Sequence, residues 1–334
     1  MNTSFDLLIV GAGPAGLAAA IAARRRGLRY LVLEKGALVN SLLHYPTDMA
    51  FFTTPELLEI GEVPFVSPYE KPTRQEALRY YRRVTDAFDL DVELGARVTG
   101  LVRDRDGMFT LTSEVDGVAV ERQTRTVVLA TGAYDLPNRL DVPGEDLPHV
   151  SHYYKEPHAH YRRRVVIVGG KNSAAEAALE LYRAGARVLL VHRGATLGES
   201  IKYWVKPDIE NRIAEESIEA RFETSVTAIT ATDVELAGPS GTSWVPADAV
   251  LLLTGYRADT TLLNQVGAGI DAGSGAAAHD PDTFESTVPN LFVVGACVAG
   301  KQSGKIFIEN GRFHGEVAVR TIADRLAKPS GVAT

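Results

Sequence analysis

One segment of this chain occurs twice. Asp6 to Lys35 reads DLLIVGAGPAGLAAAIAARRRGLRYLVLEK, and Arg164 to Arg193 reads RVVIVGGKNSAAEAALELYRAGARVLLVHR. The two align without a gap. Each runs from a short apolar stretch through a small-residue turn into an alanine-rich stretch of helical character, then a glycine and a second apolar run. That succession is a βαβ unit of about 30 residues. A lone Gly-x-Gly-x-x-Gly carries little weight. Two copies, each between predicted strands, argue against alanine-rich helices with glycine turns that bind nothing, and predict an α/β fold with two Rossmann-like domains.

Each position in the turn has its own physics. A first glycine, Gly11 or Gly169, permits the sharp passage from strand to helix. Gly13 lets a pyrophosphate approach the backbone, where the helix start at Pro14 and Ala15 offers unpaired N–H groups and a favourable dipole. A small third residue, Gly16 or Ala174, allows helix and strand to pack closely. The second turn runs Gly169, Gly170, Lys171, Asn172, Ser173, Ala174. Lys171 replaces the middle glycine, and its side chain is expected to point outward, toward phosphate.

The end of the second strand in such a unit reads the adenosine ribose. In the first copy that place holds Glu34, followed by Lys35; a carboxylate accepts from both ribose hydroxyls and repels a 2′-phosphate. The second copy has His192 and Arg193, with no acid, and a guanidinium suits a 2′-phosphate. The first site therefore suits FAD or NAD and the second NADP, unless Arg193 is simply a solvated charge at a strand end.

Two further apolar runs, Val127 to Gly132 and Val250 to Gly255, both end in Thr-Gly and are expected to close the two nucleotide folds. Ala130, Thr131 and Gly132 then face the first nucleotide, and Thr254 and Gly255 the second. The proline-containing stretch from Leu136-Pro137 to Pro143-Gly144 is expected to be the first interdomain linker, and Arg257 to Asp259 the second. A last strand, Asn290 to Gly295, with a helix from Ile306, returns the chain to the first domain. The expected layout is a discontinuous domain of 1–136 plus 258–334, with 137–257 inserted.

Composition narrows the function classes. A net charge of -7 over 334 residues argues against sequence-independent attachment to nucleic acid. The apolar opening from Leu7 to Ala23 lacks a basic lead and is broken by glycines and Pro14, unlike a signal peptide. No other stretch approaches the ~18 apolar residues of a membrane span, so the expectation is a cytoplasmic protein away from membranes. Cys297 is the single cysteine, which excludes an internal disulfide and a cysteine-based metal site. The histidines His149, His152, His158 and His160 lie among tyrosines and arginines without acidic ligands nearby, so no metal is expected.

With these motifs in place, the sequence resembles the thioredoxin-reductase-like flavoproteins, and among them the bacillithiol-disulfide reductase family. The resemblance rests on Tyr45-Pro46-Thr47, Phe51-Phe52, Glu59 to Phe65, Lys71 to Leu78, Gly169 to Ala174, where Lys171 is shared, and Ile306 to Asn310. It implies FAD in the first domain and NADPH in the second. The implied FAD contacts include Asn40, Tyr45, Thr47, Val98, Gly295, Ala296, Lys305 and Ile306. It implies a homodimer and an acceptor that is a small thiol disulfide, bacillithiol disulfide.

Three departures bear on that expectation. Thioredoxin reductases carry Cys-x-x-Cys in the NADPH domain, and His149 to His160 has none. Family members commonly have a cysteine after the Gly-x-Gly-Pro turn, where this chain has Ala15. The aspartate usual after the last glycine is Ala296. Cys297 is the one thiol that could act, and its alternative reading is a small buried side chain. Thr73 and Glu76 form a capping-box pattern. Hydride transfer from NADPH to FAD and on to a disulfide is the leading expectation. The alternatives are an NADPH reductase of ferredoxin, flavodoxin, quinone or oxygen, and a non-catalytic nucleotide or redox sensor. An aromatic residue in the C-terminal tail would favour the former, and Lys328 to Thr334 contains none.

Overall fold

A computed structural model describes residues 5–327; the tail from Lys328 to Thr334 lies outside them. The chain begins with β1 (Phe5–Val10), α1 (Pro14–Arg25) and β2 (Tyr30–Glu34). It continues through α2 (Arg74–Ala87), β3 (Val92–Leu94), β4 (Arg97–Arg103), β5 (Phe109–Val115) and β6 (Val118–Leu129). Next come β7 (Val150–Ser151), β8 (Arg164–Val168), α3 (Asn172–Arg183), β9 (Arg187–Val191), α4 (Lys206–Ala214) and β10 (Glu219–Arg221). A hairpin pair, β11 (Ser225–Ile229), β12 (Asp233–Gly238) and β13 (Gly241–Pro246), leads into β14 (Ala249–Leu252). The chain closes with β15 (Leu291–Val293) and α5 (His314–Leu326).

Two compact units result. The first comprises residues 1–44, 48–136 and 256–334, and the second 45–47 and 137–255. In the first, parallel strands lie in the order β3-β2-β1-β6, with β15 parallel to the far side of β6. In the second, the order is β10-β9-β8-β14-β7, again all parallel. The two parallel sheets have the same strand order, and each unit adds a three-stranded antiparallel piece, β4-β5-β6 continuous with its sheet in the first and β11-β12-β13 as a separate sheet in the second. The duplication legible in 30 residues thus extends through both units.

β6 shows how burial follows sheet type. Its first half pairs antiparallel with β5 and alternates exposed and covered residues, while Thr126 to Leu129 are buried without interruption between β1 and β15. That is the pattern of a strand covered on both faces. α1 is alanine-rich for a related reason. Every residue from Gly16 to Ala23 is buried, and a Cβ on Gly315 of α5 would lie 2.6 Å from the Ala19 nitrogen. Only small side chains allow two helix backbones to meet that closely.

Local signals formed as the sequence implies at the start of α2, where Thr73 and Glu76 exchange both bonds of the capping box. In the stretch expected as the first linker, Gly144 lies so close to the Ile229 carbonyl that a Cβ would sit 1.8 Å from it. Beside it the Glu145 carboxylate is buried and accepts the amides of Leu140 and Asp141 at 2.9 and 2.7 Å. The helix expected from Ile306 begins as one turn, Ile308–Gly311, and only α5 continues.

Candidate functional site

Both glycine turns sit at the carboxyl ends of parallel strands, at the point where strand order reverses direction from the first strand, which is where open α/β sheets bind ligands. In the first unit Gly11 has φ +105°, and a Cβ there would meet the Ala130 carbonyl oxygen at 2.5 Å. A Cβ on Gly16 would meet the Gly11 oxygen at 1.9 Å, whereas one on Gly13 would meet nothing within 4 Å. So the outer glycines are required by the fold, and the middle one leaves open space. No side chain caps α1, which starts at Pro14, so its first amides are left for an external acceptor.

Glu34 closes this turn from the side. It is 5% exposed; Oε2 accepts the Ala12 amide at 2.8 Å and Oε1 the Gly36 amide at 3.0 Å. Each oxygen keeps acceptor capacity for a further donor. Lys35 pairs with Asp135 at 2.6 Å. The loop beyond is held in an unusual backbone. Val39, buried, has φ +48°, which is costly for a β-branched residue, and its amide bonds the Ala12 carbonyl at 3.1 Å. The Asn40 oxygen accepts the Ala37 amide at 3.3 Å. Arg74, which sequence reasoning did not single out, is buried and grips the carbonyls of Leu42 and Leu43 at 2.9 and 2.5 Å. It caps the short helix of this loop.

Ala130 to Gly132 leave β6 directly above Gly11, with the Ala130 amide on the Val10 carbonyl at 2.8 Å. Gly132, at φ +71°, has open space beside it. Gly295 ends β15 at φ +73°, and a Cβ on it would lie 2.7 Å from the Ala15 Cβ. Ala15 and Gly295 therefore face one another, and Ala296 packs against the core behind them. The Gly295 amide donates to Nδ1 of His314 at 3.3 Å, a contact with no signal in the local sequence. Lys305 is exposed, with its carbonyl accepting from Asn310 at 3.0 Å, and Ile306 is half-buried. Val98 packs into the same core cluster from β4.

Cys297 does not have the setting of a nucleophile. It is 4% exposed, and its thiol donates toward the Val294 and Leu129 carbonyls at 3.0 and 3.3 Å. Burial pushes its pKa up to about 11, so the thiol stays protonated and inert. The candidate catalytic role is corrected accordingly.

The second unit repeats the geometry with different chemistry. A Cβ on Gly169 would meet the Leu253 carbonyl oxygen at 2.7 Å, the counterpart of the Gly11 contact, and the Ala174 Cβ at 2.8 Å. Lys171, at the head of an α3 that no side chain caps, is exposed, and its stem runs beside Gly198. Asn172 braces the following segment, accepting the Lys202 amide at 2.9 Å and donating to the Ser200 carbonyl at 3.0 Å. Ser173 is exposed. The ring of His192 lies over Gly170, its Cε1 2.4 Å from where a Cβ would be. Burial, then Arg193, lower its pKa, so a neutral imidazole covers the place that Glu34 covers in the first unit. Thr254 donates to the Asn138 carbonyl at 2.5 Å, and the Gly255 carbonyl accepts the Asn138 amide at 2.9 Å.

Tyr45 and Thr47 group with the second unit instead of the first. Their backbone has left the short helix and finds a partner in Lys155, whose carbonyl accepts the Thr47 amide at 2.8 Å. Of the histidines between 149 and 160, His152 sits 3.2 Å from the buried Glu145 carboxylate, and burial lowers its pKa.

A duplicated nucleotide fold with an acid at one ribose-reading position and a histidine–arginine pair at the other defines a dinucleotide-dependent oxidoreductase. The chain belongs to the Pyridine nucleotide-disulphide oxidoreductase family, which it matches over residues 8–295. Within it, the chain is 39% identical to the bacilliredoxin reductase Bdr of Bacillus subtilis, over 95% of this chain and 97% of that protein. It superposes on the solved bacillithiol disulfide reductase Bdr of Bacillus cereus with a TM-score of 0.95, at 39% identity, covering 97% of this chain and all of that one. A more distant relative is ferredoxin–NADP reductase 1 of Bacillus licheniformis, 27% identical over 98% of this chain and 91% of that protein.

Proposed function

We propose that this protein is an FAD-dependent NADPH oxidoreductase that reduces a low-molecular-weight thiol disulfide, bacillithiol disulfide. The observation that carries the cofactor assignment is the paired geometry of Glu34 and His192. Both lean over equivalent residues of their glycine turns, Ala12 and Gly170, but one is a carboxylate and the other a neutral ring beside Arg193. The first fits ribose hydroxyls and the second tolerates a 2′-phosphate. The space beside Gly13 and the uncapped start of α1 fit a flavin nucleotide's pyrophosphate. In this assignment residues 1–136 and 258–334 hold FAD and 137–257 hold NADPH.

When bound, the flavin supplies the two-electron chemistry, taking hydride from NADPH and passing an electron pair to the S–S bond. The chain's part is to bind and orient. Gly11, Gly13 and Gly16 bring α1 to the pyrophosphate, Glu34 holds the ribose, and Ala130 to Gly132 with Gly295 and Ala296 line the far side. Lys171 and Arg193 offer positive charge to NADPH. The inert state of Cys297 favours reduction without a protein thiol relay. The solved bacillithiol disulfide reductase of Bacillus cereus, on which the chain superposes, supports the disulfide acceptor. The burial of Cys297 also keeps a second reading in view, electron transfer to ferredoxin, flavodoxin, quinone or oxygen, which needs no thiol. The reading places the enzyme in the cytoplasm as a homodimer; among the described residues no helix is long and apolar enough to cross a membrane.

The test is anaerobic reduction of the purified yellow protein with NADPH, followed by addition of bacillithiol disulfide. Bleaching and then rapid reoxidation support the proposal. Bleaching that persists until ferredoxin, quinone or oxygen is admitted supports the second reading. NADPH binding without bleaching leaves a nucleotide sensor.

A further inference from the structure

Gly295, at φ +73°, turns the chain just past β15, and its amide finds its acceptor outside the strand ladder. That acceptor is a single imidazole. The Gly295 amide donates to His314 Nδ1 at 3.3 Å, so this nitrogen carries no proton. The ring is stacked on Phe284, centroids 4.1 Å apart and planes 18° apart, and Phe284 is in turn stacked on His279 at 5.9 Å and 17°. His279 Nδ1 lies 2.7 Å from the Ala277 carbonyl, which anchors the far end of the stack. The next residue, Gly315, backs onto α1, where a Cβ would lie 2.8 Å from the Ala15 carbonyl. His314 thus stands where the Gly295 turn and the first turn of α1 meet.

We propose that His314 is a positioning residue that locks the Gly295–Ala296 turn against the start of α1 and so sets how firmly the chain holds its flavin. The proposal rests on the flavin reading above. Three observations support it: the amide bond, the aromatic stack that fixes the plane of the ring, and the Gly315 contact that ties the same residue pair to α1. Burial, then His279, lower the His314 pKa to about 4. Nδ1 therefore stays available at neutral pH and is lost only on acidification. Two of the charged groups on the elements packed here are in ion pairs, Glu316 with Arg26 of α1 at 2.6 Å and Glu285 with Arg325 at 2.5 Å; α5 also carries Arg320 and Asp324. Cys297 stays a neutral thiol.

The experiment measures FAD release, read as the fluorescence of freed flavin without NADPH, for wild type, His314→Ala and His314→Asn. An asparagine oxygen can accept the same amide from nearly the same place. Loss of one hydrogen bond of typical strength predicts release roughly five- to tenfold faster in His314→Ala at neutral pH, with His314→Asn close to wild type. Wild-type release is expected to accelerate as pH falls toward 4, with that acceleration blunted in His314→Asn. Unchanged release from flavin-loaded His314→Ala overturns the proposal. Should His314→Ala not fold, superimposable acid profiles of wild type and His314→Asn overturn it. A wild type that binds no flavin removes the cofactor reading itself, a result distinguishable from the others.

Discussion

Cys297 offers a sharp test of the catalytic reasoning. Its pKa rises from 9.0 to about 11, so at any pH below 9 the native thiolate fraction is roughly a hundredfold lower than for a free thiol. Burial to 4% exposure slows attack further. Reaction with a chromogenic disulfide reagent at pH 7.5 is therefore expected to be at least about a hundredfold slower in the native protein than in denaturant. Cys297→Ala removes the thiol's bonds to Val294 and Leu129 and leaves a small void, at a cost of about 1–2 kcal/mol. Denaturant melts would show that loss, while turnover of the disulfide acceptor stays within about twofold, since only transition-state contacts alter it. Native labelling as fast as in denaturant, or a flavin-loaded Cys297→Ala with turnover down tenfold or more, would refute the reasoning.

Gly13→Val is expected to fold, because a Cβ there meets no atom within 4 Å, yet to purify colourless; Gly11→Ala, by contrast, is expected to lower stability by several kcal/mol, roughly the price of a clash and a forbidden φ together. Arg193→Ala is expected to raise the KM for NADPH about tenfold or more while leaving that for NADH nearly unchanged, as loss of a charge-assisted phosphate contact would; equal effects on both would return Arg193 to a solvated charge. Glu176, half-buried on α3, is held up to about 7 from 4.5, by burial first and then by Glu180. The unfolded chain gives up this proton first, so stability is full below pH 4.5 and falls as pH rises toward 7, by about 3 kcal/mol. Urea melts across that window should flatten in Glu176→Gln.

The frame of the two glycine turns was readable in the chain because its signals are short-range. Glycines three and five positions apart, a small third residue, and an acid or histidine at a strand end all act within one 30-residue unit. The capping box at Thr73 and Glu76 is shorter still. Contacts between residues distant along the chain were not readable in this way. Tyr45 lies two residues and Thr47 four past the end of a short helix, and nothing in their neighbourhood says that Lys155 will take the Thr47 amide. The stretch to Gly144 reads as a linker, and nothing local says that a buried carboxylate five residues on from Leu140 will take the Leu140 and Asp141 amides.

The sequence by itself determined that two βαβ units exist, where each turns, and which side chain stands at the end of each second strand, since periodicity and turn chemistry are written locally. Only the tertiary structure decided that β7 and β15, one two residues long and the other three, fill the same place in their two sheets. It alone brought Arg74 to the Leu42 and Leu43 carbonyls, His314 to the Gly295 amide, and two carbonyls to the Cys297 thiol. Such contacts join segments up to 168 residues apart. Their partners are chosen by strand register and helix packing after the chain has closed, and no local pattern can encode them.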